Sequence, residues 1–232
     1  MNQSDPLKSF SQYGEDKIVL EFFGGKKDGF FVEVGACEPE FLSQTVLLER
    51  IGWRGILIEP QSECCIRLRE KRPGSLVFQV ACGAPEQRGK AVLKLDARGS
   101  RLIGPDDVGK SEQEEVQVMT LDDILKQASS PQIDFVSIDV EGLELDVLRG
   151  FDLTKSPPRL IIIEDNWKNR LKVYSYLKKQ GYKLVKRTGC NNWYVPKGEY
   201  FPYSGVCERI KLFRKMHIGT PFRKLRFLLT GH

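Results

Sequence analysis

Five carboxylates stand at the ends of apolar runs, where buried strands would deliver them to one rim: Glu33 in FVEVG, Glu59 in ILIEP, Asp139 in FVSIDVEG, and Glu164 with Asp165 in LIIIEDN. An acid closing a buried strand is harder to explain as solvated decoration than one on a helix surface, because burying an isolated carboxylate is costly. Such acids can accept hydrogen bonds from hydroxyls, take a proton from a reacting group, or hold a divalent cation. The two histidines, His217 and His232, both sit in the C-terminal tail, so carboxylates are the main candidates for acid–base work.

The stretch from Asp28 to Gln61 positions the first two acids. Phe30 to Val34 is an apolar run ending at Gly35, Leu42 to Ile51 carries apolar residues at helical spacing, and Gly55 to Pro60 is a second apolar run containing Glu59. This spells a βαβ unit of a parallel sheet buried on both faces, which binds ligands outside the carboxyl ends of its strands. A dinucleotide site wants GxGxxG, so that backbone N–H groups can close on a pyrophosphate. Here Gly35 is followed by Ala36, Cys37, Glu38, Pro39 and Glu40. Glu33, Glu38 and Glu40 would repel a phosphate but suit a ligand carrying an ammonium and a sulfonium, which describes S-adenosylmethionine (SAM). Glu59 would then accept hydrogen bonds from the ribose hydroxyls. The unit alone allows an equal alternative: Gly35 only turns the chain, and Glu59 is a solvated strand end.

The second acid group comes from IDFVSIDVEGLELDVLRG and RLIIIEDN. Asp139 follows its strand across the switch point from Gly35, which makes it the first choice for activating a methyl acceptor. Asp139, Glu164 and Asp165 (or Asn166) also form an oxygen-rich set able to hold Mg²⁺. Glu144 and Asp146 read more simply as charge complementation at a helix N-terminus.

The remaining pattern gives a helix within Ser11 to Gly25 behind the polar entry SQYGED, whose Tyr13 and Asp16 suit capping. A helix follows at Ser62 to Arg72, and a third strand at Leu76 to Cys82. Ala91 to Asp96 and Glu115 to Thr120 alternate like antiparallel strands around a polar segment, Ala97 to Gln113, expected to be disordered or a lid. Thr120 caps a helix over Leu121 to Gln127, a further helix covers Trp167 to Gln180, and Tyr182 to Arg187 with Asn192 to Val195 form a hairpin. At 232 residues and 41% hydrophobic, one α/β domain (1–200) with a tail (201–232) is expected. No run reaches the roughly 18 apolar residues of a membrane span, and MNQSDPLKSF lacks the core of a secretory signal, so a cytoplasmic protein is expected. Six cysteines include no CxxC pair and read as buried or inert thiols. The basic, apolar tail would pack on the domain or a second subunit, or meet an anionic membrane at its inner face. No nucleic-acid motif is visible, and no nucleic-acid partner is expected.

Taken together, SQYGEDKIV, FVEVGA, LSQTVLLERIGWRGILIEP, IDFVSIDVEGLELDVLRGFDL and IIIEDN resemble the FkbM-type SAM-dependent methyltransferases over about Ser11 to Pro196. The resemblance implies a Rossmann-like class I methyltransferase fold, with a seven-stranded, mostly parallel sheet, helices on both faces and a terminal antiparallel hairpin. It also implies O-methylation, usually of sugar hydroxyls in glycans, glycolipids or glycosylated natural products. It places Glu33 and Gly35 at the methionine end of the cofactor, Glu59 at the ribose, and Asp139 and Glu141 beside the reaction centre; Pro60 and Ala81 are further cofactor-binding candidates and Glu164 a further catalytic one. The SQYGED entry, through Tyr13 and Asp16, would help to cover the cofactor. Two departures stand out: Pro39 where a second glycine is common, and Asp165 where a histidine is common. An NAD-dependent sugar oxidoreductase lacks its glycines and a Tyr-x-x-x-Lys pair here, and a non-catalytic scaffold in a glycan-assembly complex is the rival from outside the enzymes.

Overall fold

The computed structural model describes residues 8–94, 101–103, 113–165 and 169–221. Helix α1 (Glu15–Phe22) leads to β1 (Phe30–Val34), α2 (Val46–Arg50) to β2 (Arg54–Ile58), and α3 (Ser62–Lys71) to β3 (Ser75–Phe78). Four short strands follow: β4 (Ala81–Cys82), β5 (Gly89–Lys94), β6 (Arg101–Ile103) and β7 (Gln113–Met119). Then come α4 (Leu121–Gln127), β8 (Phe135–Ile138), α5 (Glu144–Arg149), β9 (Leu160–Glu164), α6 (Arg170–Lys179), and the hairpin of β10 (Tyr182–Thr188) and β11 (Asn191–Pro196). Helix α7 (Val206–Arg214) runs into a π turn at Lys215–Gly219.

The main sheet has seven strands in the order β10-β11-β9-β8-β1-β2-β3. β3, β2, β1, β8 and β9 are parallel, and β11 is antiparallel to both of its neighbours. The strands are continuous apolar runs because both faces are covered. Val32, Ile56, Val136 and Ile161 point to α4, α5 and α6, through Ile124, Val147, Leu148 and Val173. Phe31, Leu57, Phe135 and Ile162 point the other way, to Val19 of α1, Leu48 of α2 and Leu68 of α3. All the parallel strands therefore end at one rim, where the chain order reverses between β1 and β8.

Three expectations change. The run Leu76 to Cys82 is two strands: β3 closes the edge of the main sheet, and after the exposed Gln79 the chain swings to β4, which pairs with β7 in a second sheet of order β4-β7-β5-β6. Within the segment expected to be disordered or a lid, Arg101–Ile103 is a strand paired antiparallel to β5, and residues 97–100 and 104–112 lie outside the described residues. Helix α2 starts at Val46 and not Leu42, because Leu42 adopts a positive φ of 62° and the Ser43 and Thr45 hydroxyls bond to Glu33.

That last substitution of partners is held from behind by Arg72. Only 2% exposed, it donates to Glu49 Oε2 (2.8 Å), the Pro39 carbonyl (3.1 Å) and Thr45 Oγ1 (2.9 Å), and so ties the β1–α2 loop to α3. Removing one partner of a buried pair leaves a charge uncompensated. Arg72→Ala is expected to lower unfolding free energy by about 3 kcal/mol in urea titration; a loss below about 1 kcal/mol would show that the network is not a structural anchor.

Candidate active site

At the rim between β1, β2 and β8 lies a cleft of about 370 Å³, in the range of small-molecule sites. Its walls are largely apolar: Val34, Ile58, Val80, Ala81, Leu93 and Leu143. Its polar lining includes Glu59, Gln61, Asp139 and Glu141, and Gly35 and Pro60 complete the turns at the ends of β1 and β2. A smaller pocket of about 170 Å³ continues past Gly35 and Asp139 to Glu33, Ser43, Gln44 and Ser137. Gly35, Glu59, Pro60, Ala81, Asp139 and Glu141 thus gather in one cleft, and Glu33 in its extension.

Gly35 decides the geometry. Its φ is +88°, and a Cβ built on it would lie 1.7 Å from the Asp139 carbonyl oxygen. Only glycine lets the end of β1 pass this close to the end of β8. Two rim residues on the other side of this contact also take unusual backbone: Glu141 has φ 52° and Gly142 φ 109°. The bend is closed by buried Glu144, whose Oε1 accepts from the Gly142 N–H (2.7 Å), and by Asn169, whose Nδ2 donates to the Gly142 carbonyl (2.7 Å). Glu144 is 0% exposed and its Oε2 has no hydrogen-bond partner among the described residues, so it is a buried loop clamp and not a solvated charge at a helix end. Burial raises its pKa, which favours the neutral acid.

Glu59 is 5% exposed, and its Oε1 accepts from the Gln61 N–H at 2.9 Å. Burial pushes its carboxyl up to about 7, with the Gln61 bond acting in the opposite direction. A buried carboxylate engaged through one oxygen, flanked by apolar walls, fits a ligand bearing neighbouring hydroxyls. Asp139 is exposed and lines both the cleft and its extension. Protein packed around its carboxylate, then the charge of Glu164 and a hydrogen bond to it, push its pKa upward. Glu164 is also raised, by burial and then by Glu141. The pair therefore favours holding a proton between two carboxylates. Glu33 accepts from Thr45 Oγ1 (2.5 Å) and, at 3.3 Å, from Ser43 Oγ, so part of its capacity is already satisfied.

Asp165 corrects the metal expectation. Its side chain is fully buried between Arg170, whose Nε is 2.5 Å away, and Arg187, with Lys215 at 3.9 Å. It has turned from its neighbour Glu164 to bind cations of α6, β10 and the C-terminal segment. Among the described residues, the three-donor group compact enough for one ion is Cys37, Glu59 and Cys64, within 4.8 Å, and it contains neither Asp139, Glu164 nor Asp165. Asn166 lies outside the described residues.

The entry segment also sits differently. Asp16 is buried away from the cleft, accepting from Ser9 Oγ (2.6 Å), the Phe10 N–H (2.7 Å) and Ser11 Oγ (2.9 Å). Tyr13 lies against Gly189 in the β10–β11 turn and does not line the cleft. Glu15, in the same SQYGED entry, fixes the segment by accepting from Thr188 Oγ1 (2.8 Å) and Asn191 Nδ2 (3.0 Å). Sequence reasoning also missed Gln61, Leu93 and Leu143 in the cleft and Gln44 and Ser137 beneath it, where Ser137 donates to Gln44 at 3.1 Å. The LSQT motif was the available signal for Gln44.

Residues 33–184 match the Methyltransferase FkbM domain, and the chain belongs to that family. With this strand order and rim cleft, its fold is the Rossmann-like class I fold of SAM-dependent methyltransferases. A comparison with curated proteins finds no match. Among solved structures, the chain is similar to the C-terminal domain of precorrin-6Y C5,15-methyltransferase from Rhodobacter capsulatus, with 11% identity over 77% of this chain and 84% of that one and a TM-score of 0.41. It is similar to precorrin-6y C5,15-methyltransferase from Geobacter metallireducens GS-15 (11% identity, 81% and 89% covered, TM-score 0.45). A third similar structure is the METTL16 methyltransferase domain (14% identity, 78% and 65% covered, TM-score 0.48).

The lining suits SAM: buried Glu59 would accept from ribose hydroxyls, the apolar walls would flank an adenine, and Glu33 would face the positively charged methionine end. Because folded Glu59 binds its proton more tightly than the unfolded chain does, stability falls as pH rises from about 4.5 to about 7. Glu59→Gln is expected to raise the Tm of the ligand-free protein above about pH 7, to leave it unchanged near pH 4.5, and to weaken adenosylhomocysteine binding about tenfold or more. Unchanged binding would remove Glu59 from the ribose site.

The thiols give a second test. Cys37, on the wall of the cleft, lies Sγ to Sγ at 2.7 Å from buried Cys64, and burial drives both pKa values upward, toward inert thiols. Iodoacetamide at mildly alkaline pH is expected to label exposed Cys207 well before Cys37, Cys64 or Cys82, as read by peptide mass spectrometry. Fast labelling of Cys37 would contradict this assignment.

Proposed function

We propose that this chain is an O-methyltransferase that transfers a methyl group from SAM to a carbohydrate hydroxyl. The observation that carries the reading is the pairing of Asp139 with Glu164 at the rim, across Gly35 from the Glu59 cleft, with both carboxyls biased toward holding a proton. Bound SAM supplies an electrophilic methyl on a sulfonium. Asp139 would accept a hydrogen bond from the acceptor hydroxyl and take its proton as the oxygen–carbon bond forms and the sulfur–methyl bond breaks, releasing neutral adenosylhomocysteine, and Glu164 would share that proton. Glu141 offers a further acceptor to a neighbouring hydroxyl. An acid-lined acceptor side supports a polyhydroxylated, uncharged substrate over a phosphate-bearing one, because carboxylates accept from hydroxyls and repel phosphate. The sugar acceptors implied by the family resemblance support the same reading.

The test is incubation of the protein with methyl-labelled SAM and, separately, a cell-envelope glycan extract and total RNA. Label is expected in an alkali-stable ether on carbohydrate; label in RNA, or none in glycan, would overturn the substrate class. Asp139→Asn is expected to lower kcat by about 10²- to 10⁴-fold while adenosylhomocysteine binding stays within a few-fold. The wild-type rate is expected to climb with pH on a limb above the ordinary carboxylate range, since the base must first lose the proton it holds. A variant with full activity would favour the scaffold reading, and calorimetry showing tight NAD binding without SAM binding would favour an oxidoreductase.

A further inference from the structure

Sharing no lining residue with the rim cleft, a groove of about 630 Å³ runs between α6, the start of β10 and α7. Its floor is apolar, with Leu212, Met216 and Tyr182 buried. The α7 side of its mouth carries Val206, Ile210 and Phe213, which are 71%, 54% and 60% exposed. Around the same groove stand Lys178, Lys183, Lys197 and Arg209, with His217, and no carboxylate lines it.

Elsewhere on this surface basic groups find acids: Lys90 with Glu115, Arg88 with Asp123, Arg149 with Glu86. Among the described residues the four groove cations make no ion pair; Lys183 donates to the Lys197 carbonyl (2.9 Å), and Lys178 sits over the Tyr174 ring at 6.0 Å. The single acid of α7, Glu208, does not line the groove. Exposed aliphatic and aromatic side chains beside uncompensated cations match a molecule with an anionic head and a hydrocarbon body.

We propose that this groove seats the phosphate headgroup and first methylenes of an anionic membrane lipid, and so docks the domain on an anionic bilayer. No described helix is long and apolar enough to cross a membrane, so the attachment is to the surface. A second copy of the chain is a poor occupant, since it would bring the same cations face to face. The following sequence, FRKLRFLLTGH, is equally poor: it carries Arg223, Lys224 and Arg226 and no acid, so it cannot neutralise the groove.

The experiment is sedimentation of the full chain with vesicles of phosphatidylcholine alone and of phosphatidylcholine containing phosphatidylglycerol, and its readout is independent of methyl transfer. Binding is expected only to the anionic vesicles, with steep loss on adding salt. Lys183→Glu with Arg209→Glu is expected to weaken it about tenfold or more. Phe213→Ser is expected to weaken it too, and both variants are expected to keep adenosylhomocysteine binding as proof of fold. Equal binding to neutral vesicles, or unchanged binding of the groove variants, would overturn the proposal. So would loss of binding only when Arg223, Lys224 and Arg226 are reversed, competition by inorganic phosphate as effective as by vesicles, or a concentration-dependent dimer that the groove variants abolish.

Discussion

No side chain fits between the end of β1 and the end of β8. At Gly35 the backbone of one strand end runs against the Asp139 carbonyl of the other, at a distance that any Cβ would violate. This contact sets the spacing between the two halves of the rim, one carrying Glu33 and Glu59 and the other Asp139 and Glu164. A methyl donor and its acceptor must be held in line and close together. The absence of one methyl group on the chain is what lets the two halves approach.

Around that contact the acids fall into two kinds. Glu33, Asp16 and Asp165 are met by hydroxyls, backbone N–H groups or guanidinium groups, and their work is to hold loops. Among the described residues Glu59, Asp139, Glu144 and Glu164 make no ion pair, and desolvation together with the charge of neighbouring acids raises their proton affinity. Uncompensated charge concentrates where a ligand would complete the bonding, and compensated charge where the scaffold needs rigidity. Buried Glu144 belongs with the loop-holding acids by position, since it clamps the Gly142 bend, yet an oxygen without a partner among the described residues puts it electrostatically with the uncompensated ones.

Much of this was legible in the residues alone. Continuous apolar runs that end in glycine and acid marked β1, β2, β8 and β9, and the hairpin turn marked β10 and β11, because buried parallel strands leave little ambiguity in their pattern. The rim positions of Gly35, Glu59, Asp139 and Glu141 followed from topology. What did not follow was how neighbours share a polar side chain. Asp165 looks like Glu164 in sequence, but Arg170 opens α6 five residues on and Arg187 comes from strand β10, and only the folded chain shows them meeting. The split of Leu76 to Cys82 was hidden for a similar reason: periodicity does not reveal which of two sheets an edge segment joins.

The bonds from Glu15 to Thr188 and Asn191 span 173 and 176 residues of chain. A ribosome releases Glu15 long before it has made either partner, so the N-terminal segment must wait, undocked, through most of synthesis. Central β1 shares the delay, since its neighbour β8 begins at Phe135. Assembly of this domain is therefore closed from its ends inward at a late stage, and the nascent chain depends on β1, β2 and α3 to shelter its apolar surface until then.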